Sequence, residues 1–265
     1  KDKFQSKPYK KLGYEHFALS GQKGYHGVAT ISRYPIVSQD KMRFCPKNEA
    51  RHVFSTIEEF PSQNIKTLNI HNFYVPAGGD IPDKSKNPKF AHKFDFLENM
   101  ETHFSKPGKH KTEPTILLGD LNIAPEENDV WSHKQMLKIV SHTTEEVAAL
   151  KKVQSANDWI DQMRELTSPE EKLFSWWSYR AKDWEASNRG RRLDHIWLNQ
   201  TMKAHCSSID VLKPARGWER PSDHVPIIAY LNLWDLSKFV LNKIWFELIE
   251  VTKVRIQPFL NNACS

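Results

Sequence analysis

An α+β fold, packed β-sheets with helices on the outside, is what the sequence predicts, and three observations predict it. Several strand-like runs precede the first strong helix, which argues against a doubly wound parallel sheet. Each run is short and bounded by Pro, Gly, Asn or Asp. Of the 265 residues, 39% are hydrophobic and 11% aromatic, nine of them Trp, so a large core can form without disulfides.

In chain order, strands are expected over Gly27 to Ile31, His52 to Glu58 and Lys66 to Tyr74. A helix follows over Lys89 to Phe104, where Phe90, Phe94, Leu97 and Phe104 recur at helical spacing. Thr115 to Leu118 is a short apolar strand closed by Gly119. Helices are expected over Thr144 to Val153 and over Asn157 to Leu166, the latter with Trp159, Ile160 and Met163 as its apolar face. Leu173 to Trp177, Leu193 to Leu198, Ser208 to Leu212 and Val225 to Leu231 complete the strands. Nothing between them resembles a linker, a repeat or a low-complexity tract, which favours one domain.

A net charge of +6 and a pI near 9.1 point to a polyanionic partner. Cys45, Cys206 and Cys264 are odd in number and widely spaced, and read as free thiols of a reducing compartment. No apolar run is long enough to span a bilayer, and no signal peptide is recognisable before the first element. The expectation is a soluble, intracellular protein.

Three short motifs carry chemistry. Ser222-Asp223-His224 sets a carboxylate beside an imidazole just before a strand; a loop, unlike a strand, can aim both at one substrate. Alone it is as well explained as a turn cap. Gly119-Asp120-Leu121-Asn122 has the same architecture, an apolar run and then polar groups two apart, on one side if the backbone stays extended. Asp194 interrupts the apolar run Leu193 to Leu198 and should face a hydrogen-bond donor. A buried salt bridge to a neighbouring arginine accounts for Asp194 equally well. Three such motifs together favour a site. Basic residues also gather around Phe174-Ser-Trp176-Trp177-Ser-Tyr179-Arg180 and continue through Arg189, Arg191 and Arg192. Cations beside flat rings suit a groove that follows a phosphate backbone, although one of the two tryptophans is expected to be core.

In sequence the chain resembles the exodeoxyribonuclease III abasic-site endonucleases of the endonuclease/exonuclease/phosphatase superfamily. The matching segments are GQKGYHGVATISR from Gly21, NFYVPAGGD from Asn72, LLGDLNIAPEENDVW from Leu117, FSWWSYR from Phe174, NRGRRLDHIWL from Asn188 and SDHVPI from Ser222. Their order fits residues 1–233. The resemblance implies a four-layer αββα sandwich, two mostly antiparallel sheets flanked by helices. It implies a DNA-repair phosphodiesterase that incises abasic sites and removes nucleotides from 3′ ends of duplex DNA. By motif, Asp120 would orient or deprotonate the attacking water, and Asn122 would hold the phosphate or the water. His224 would stabilise charge on a phosphate oxygen, with Asp194 fixing its imidazole. Tyr74 would reach the phosphate or leaving group. Asp223, with Asp120 and Asn122, would hold a metal ion, Mg²⁺ or alternatively Mn²⁺, since hard oxygen ligands suit either. Trp176 would line the pocket for the baseless sugar, and Arg180, Arg191, Arg192 and Lys23 would contact DNA. A monomer acting on duplex DNA in a bacterial cytoplasm, associated with the nucleoid and away from any membrane, completes the expectation.

Two departures qualify it. Members of this group open with a strand, a helix and a second strand ending in Gln-Glu, whose Glu is a principal metal ligand. This chain begins at Lys1-Asp2-Lys3-Phe4, beyond that point, so it reads as N-terminally incomplete, a fragment of a longer protein in preference to a natural truncation. Weak Mg²⁺ binding and impaired activity are the expected consequence. The other departure is Trp234 to Ser265, an atypical extension with apolar residues at helical spacing. Two further readings stand beside the nuclease: a non-catalytic DNA-binding remnant, and a small-phosphoester or lipid phosphodiesterase of the same superfamily.

Overall fold

The computed structural model of the chain describes residues 4–23, 26–62 and 64–233, so the expected C-terminal helix lies outside the described residues. A short helix α1 (Lys7–Lys11) precedes strands β1 (His16–Gly21), β2 (Gly27–Ser32), β3 (Ile36–Asp40), β4 (His52–Ile57) and β5 (Leu68–Tyr74). Helices α2 (Pro88–Ser105) and α3 (Lys109–Thr112) lead into β6 (Thr115–Asp120). Then come α4 (His133–Met136), α5 (Thr144–Ser155), β7 (Ile160–Asp161), α6 (Gln162–Glu165), β8 (Trp176–Trp177), α7 (Trp184–Ser187) and β9 (Gly190–Arg191). Strands β10 (Asp194–Leu198), β11 (Cys206–Val211) and β12 (Ile227–Leu231) close the described chain.

The central sheet has the order β3-β4-β5-β6-β10-β7, and only β5 and β6 run parallel, with α2 as their crossover. Alternation along its strands separates two cores. Leu68, Ile70, Ile116, Leu118, Ile196 and Leu198 face one way and pack on Ile227, Ala229 and Leu231 of the hairpin β11–β12. On the same face Ala18 and Val28 of the hairpin β1–β2 meet Val53 and Tyr74. Phe73, Leu117 and Trp197 face the other way, under Phe96, Leu97, Met100 and Phe104 of α2 and Leu150 and Val153 of α5. Each Leu, Ile, Val, Phe or Met among them, wholly removed from water, stabilises the fold by roughly 1.5–3 kcal/mol. Phe17, on the outer side of β1, touches Phe4, which stacks on Tyr9 of α1. The layers are therefore helices, sheet, hairpins and a thin outer helix, the sandwich that the sequence predicts. No helix among the described residues is long and apolar enough to cross a membrane.

Local chemistry explains the helix ends. Asn87 caps α2 by accepting from Lys89 N–H at 3.0 Å, with Pro88 in the first turn where a missing N–H costs nothing. Thr143 and Glu146 form a capping box at α5. The buried residues of α2 are Phe90, His92, Lys93, Phe96, Leu97, Met100 and Phe104. Phe94 lies at their margin beneath Lys84 Nζ, 3.6 Å from the ring centre, and Lys93 takes the inward place. The helix expected over Asn157 to Leu166 is instead a two-residue strand and one turn. Asp161 and Ile160 pair with Trp197 and Leu198, and sheet pairing overrides the helical pattern there. The strand expected over Leu173 to Trp177 shrinks to β8, and β1 and β3 were not foreseen.

Four histidines sit against the α2 core. His52 and His71 face each other across β4 and β5, with Nε2 and Nδ1 3.1 Å apart, and His103 and His110 each meet the Phe104 ring edge-on. Burial pushes His52 down to about 3 and His103 to about 4, and lowers His71 and His110; neighbouring histidines add to each shift except that of His110, where Lys111 does so. As pH falls below the ordinary histidine value, the unfolded chain takes up these protons first, so stability must fall. Thermal melts should show a midpoint that drops steadily from about pH 6.5 towards pH 4 and a shallower slope in His71→Leu; a flat midpoint would contradict the burial of neutral rings.

Candidate active site

Three adjacent strands deliver one side chain each to the same level of the sheet. Asp120, the last residue of β6, is the register partner of Tyr74 at the end of β5 and of Asp194 at the start of β10. Register partners point to the same face, so the phenol and both carboxylates share one rim, on the hairpin side. Gly119 makes this crossing tight. Its φ is +136°, and a Cβ there would lie 2.0 Å from Phe73 O, so only glycine lets β5 and β6 meet at this point.

His224 arrives on a separate segment tied to the strap 174–177. Trp177 N–H donates to Asp223 O and Val225 N–H to Ser175 O, both at 2.8 Å, around a bridge between Trp176 and His224. Ser175 Oγ in turn accepts the N–H groups of Leu193 and Asp194, each at 3.0 Å, which fixes the start of β10. The buried imidazole donates Nδ1–H to Asp194 Oδ2 at 2.8 Å, and its Nε2 lies 3.9 Å from Asp120 Oδ2. Burial would lower the His224 pKa, but the carboxylates of Asp194, Asp120 and Asp223 outweigh it and raise it to about 9. At neutral pH the site therefore holds an imidazolium between two aspartates. Its Nε2–H is the donor left for a ligand.

Asn122 differs from the extended arrangement expected. Its φ of 54° turns the chain sharply after β6, and its N–H donates to Asp120 Oδ1 at 3.0 Å. Its Nδ2 donates to Val75 O at 2.9 Å, which ties the β5 and β6 loops together and leaves Oδ1 as the atom it can offer. Lys93, wholly buried, donates Nζ–H to Asn122 O at 2.9 Å and pairs with Glu146. Sequence reading missed this lysine because it sits inside an apolar helical stripe.

Tyr74 rests on Arg51, which was also missed. The guanidinium lies 4.8 Å from the ring centre, donates to Tyr74 O at 3.3 Å and to His26 Nε2 at 3.2 Å, and is held by Glu49. The only signal was Glu49-Ala50-Arg51 just ahead of β4.

The basic and aromatic segment divides into two parts. Trp176 is half-buried, donates Nε1–H to Asp223 Oδ2 at 3.0 Å and carries Arg191 stacked 5.0 Å from its ring centre. Trp177 is core, 2% exposed. Arg180 and Lys23 are exposed. Arg192 does not belong with them: it is fully buried and bonds Asp129 twice at 2.8 Å and Asp161 at 2.8 and 3.0 Å. It also donates to His195 Nδ1, leaving Nε2–H of a neutral His195 to donate to Ile123 O at 2.8 Å. The expectation that Arg192 contacts DNA is corrected: alternation along the chain turns Arg191 towards Trp176, where it is half-buried and donates to Val140 O and Ser141 Oγ, and turns Arg192 inward, where two carboxylates receive it.

Acidic and histidine side chains here could hold a metal ion: single ligand atoms of Asp120, Asp194 and His224 all lie within 4.8 Å of one another. The imidazolium is a donor and not a ligand, which leaves the carboxylate oxygens of Asp120 and Asp194. The donor set is all oxygen and its net charge negative, which fits a hard divalent cation.

The sequence profile of the Endonuclease/Exonuclease/phosphatase family matches residues 2–224. The chain is 28% identical over 233 residues to the exodeoxyribonuclease III of Haemophilus influenzae, covering 82% of this chain and 80% of that protein. It superposes with a TM-score of 0.76 and 26% identity on an AP endonuclease from Archaeoglobus fulgidus, covering 87% of this chain and 84% of the other. A Neisseria 3′ phosphatase bound to a product DNA hairpin superposes with a TM-score of 0.72 at 26% identity and the same coverages. The carboxylate-flanked imidazole at the sheet rim thus belongs to a hydrolase scaffold, and the chain is a member of the Endonuclease/Exonuclease/phosphatase family.

Proposed function

We propose that this chain is a Mg²⁺-dependent phosphodiesterase of DNA repair, acting on duplex DNA at abasic sites and at 3′ ends. The observation that carries the reading is the alignment of Tyr74, Asp120 and Asp194 across three strands with the His224 imidazolium seated between the two aspartates. A phosphodiester is anionic, so an attacking hydroxide needs cationic groups and fixed donors to offset repulsion. The Nε2–H of His224 supplies one such donor towards a phosphate oxygen. Asp120 Oδ2, facing that donor, is the base that takes the proton of the attacking water. Asp194 holds the imidazole in one orientation, and Asn122 fixes the Asp120 carboxylate through its N–H. Tyr74, braced by Arg51, offers a hydroxyl to the phosphate or the leaving oxygen. A Mg²⁺ ion bound by Asp223 and Asp120 would supply further charge neutralisation at the phosphate.

The partner is duplex DNA. Trp176 with Arg191 stacked on it provides a flat face and a cation at the rim, and Arg180 and Lys23 provide exposed charge for the phosphate backbone. The Neisseria relative with its DNA hairpin supports this reading.

The test is a cleavage assay on a duplex with one abasic site, on a duplex with a recessed 3′ end and on a free inositol phosphate, across a Mg²⁺ titration. Incision and stepwise 3′ loss, both abolished by chelator, are expected. Preference for the inositol phosphate would make the chain a small-phosphoester hydrolase. Salt-sensitive duplex binding without cleavage at any Mg²⁺ concentration would make it a binding remnant.

A further inference from the structure

Away from the catalytic rim, Cys45, Glu49 and His92 bring a thiol, a carboxylate and an imidazole together, with one ligand atom of each within 4.8 Å of the others. Two elements build the grouping. Residues 45–49 form a turn in which Asn48, at φ 57°, donates its N–H to Cys45 O at 3.1 Å, so the side chains of Cys45 and Glu49 close on one point. His92 reaches in from the first turns of α2, with Nε2 3.2 Å from Glu49 Oε2. Cys45 and His92 are 7% and 8% exposed, and Glu49 is half-buried. The bonds of Glu49 to Arg51 and to His92 both end on Oε2, which leaves Oε1 for another partner.

Nothing in the proposed hydrolysis uses these three groups directly. A buried cysteine that serves only packing needs no carboxylate and imidazole beside it. Sulfur, imidazole nitrogen and one carboxylate oxygen form a mixed set that suits Zn²⁺ and not Mg²⁺, with a fourth tetrahedral position open to water. A local pair four residues apart plus a distant helical ligand is also the usual way a chain assembles a metal site. We propose that Cys45, Glu49 and His92 bind a zinc ion, at a site separate from the oxygen ligands Asp120 and Asp223.

On binding, the Cys45 thiol releases its proton to solvent, and His92 gives up its Nε2 proton and keeps the one on Nδ1, so that Nε2 exchanges its bond to Glu49 for the metal. Glu49 ligates through Oε1 while Oε2 keeps Arg51. Arg51 carries Tyr74, so the ion would brace the base of the catalytic tyrosine through Glu49 and Arg51.

Co²⁺ is the probe, because a thiolate ligand gives a near-ultraviolet charge-transfer band that an all-oxygen site cannot give. The full chain should show that band at one Co²⁺ per molecule, and Zn²⁺ should abolish it. Folded Cys45→Ser and His92→Gln, checked by circular dichroism, should each lose the thiolate band or bind the ion far more weakly. Zn²⁺ should raise the melting temperature of the parent chain and not of either variant. Absence of the band in the parent chain would overturn the proposal. So would an undiminished band in Cys45→Ser, which would place the ion on another cysteine, or in His92→Gln, which decides the matter should Cys45→Ser fail to fold.

Discussion

Asp120→Asn is expected to lower DNA cleavage by about 10²–10⁴-fold, the usual contribution of a positioned general base, while leaving duplex affinity unchanged. The substitution keeps the shape of the side chain and its acceptor for Asn122 N–H, currently 3.0 Å from Oδ1. It removes the charge that faces His224 Nε2 at 3.9 Å and the capacity to take a proton from water. Because Asp120 is wholly buried at the strand end, it makes no contribution to the exposed charge that follows a phosphate backbone. Binding is measured by titration of labelled duplex without Mg²⁺, and cleavage by single turnover with it. A loss of affinity as large as the loss of rate would remove Asp120 from the role of base.

Arg192→Met is expected to destabilise the fold by about 3–5 kcal/mol, a fall of roughly 6–20 °C in melting temperature, because two buried carboxylates would lose their cation. The residue makes four hydrogen bonds to Asp129 and Asp161, and Asp129 relies on Arg192 and Arg164 to hold its carboxyl below the ordinary range against burial. Asp129 also accepts from Glu126 N–H, so the loop after the catalytic turn depends on the same carboxylate. The exposed Arg180 gives the contrast. Arg180→Ala should leave the melting temperature nearly unchanged and reduce the salt dependence of duplex binding by about one unit of slope. An Arg192→Met protein as stable as the parent but weaker in DNA binding would restore Arg192 to the interface.

The two arginines show what was legible in the sequence and what was not. Arg191 and Arg192 are adjacent and chemically identical, and only the pairing of β8 with β9 decides which one faces Trp176 and which faces Asp129. The strands β4, β5, β6 and β10 were legible because they are buried on both faces and largely apolar, and β12 because its apolar run IIAYL alternates between buried and half-buried residues. β1 and β3 were not: the former reads HFALSG with no β-branched residue, and the latter is a sheet-edge strand with no buried residue. The carboxylates and the imidazole were visible as polar groups at the ends of apolar runs or, for Asp194, within one. Their supports, Arg51, Lys93 and Ser175, were invisible for the opposite reason. Each lies at a position where an unremarkable residue is expected, and the site residue it supports, Tyr74, Asn122 or Asp194, is 19 or more positions away.

The central claim is that Asp120 and His224 act as one unit on one phosphate. A double-mutant cycle with Asp120→Asn and His224→Asn, read by single-turnover cleavage of an abasic duplex, tests it most directly. Residues that serve one transition state give losses that do not multiply, so the double variant should be little slower than the worse single one. Losses that multiply in full, as for independent sites, would contradict it.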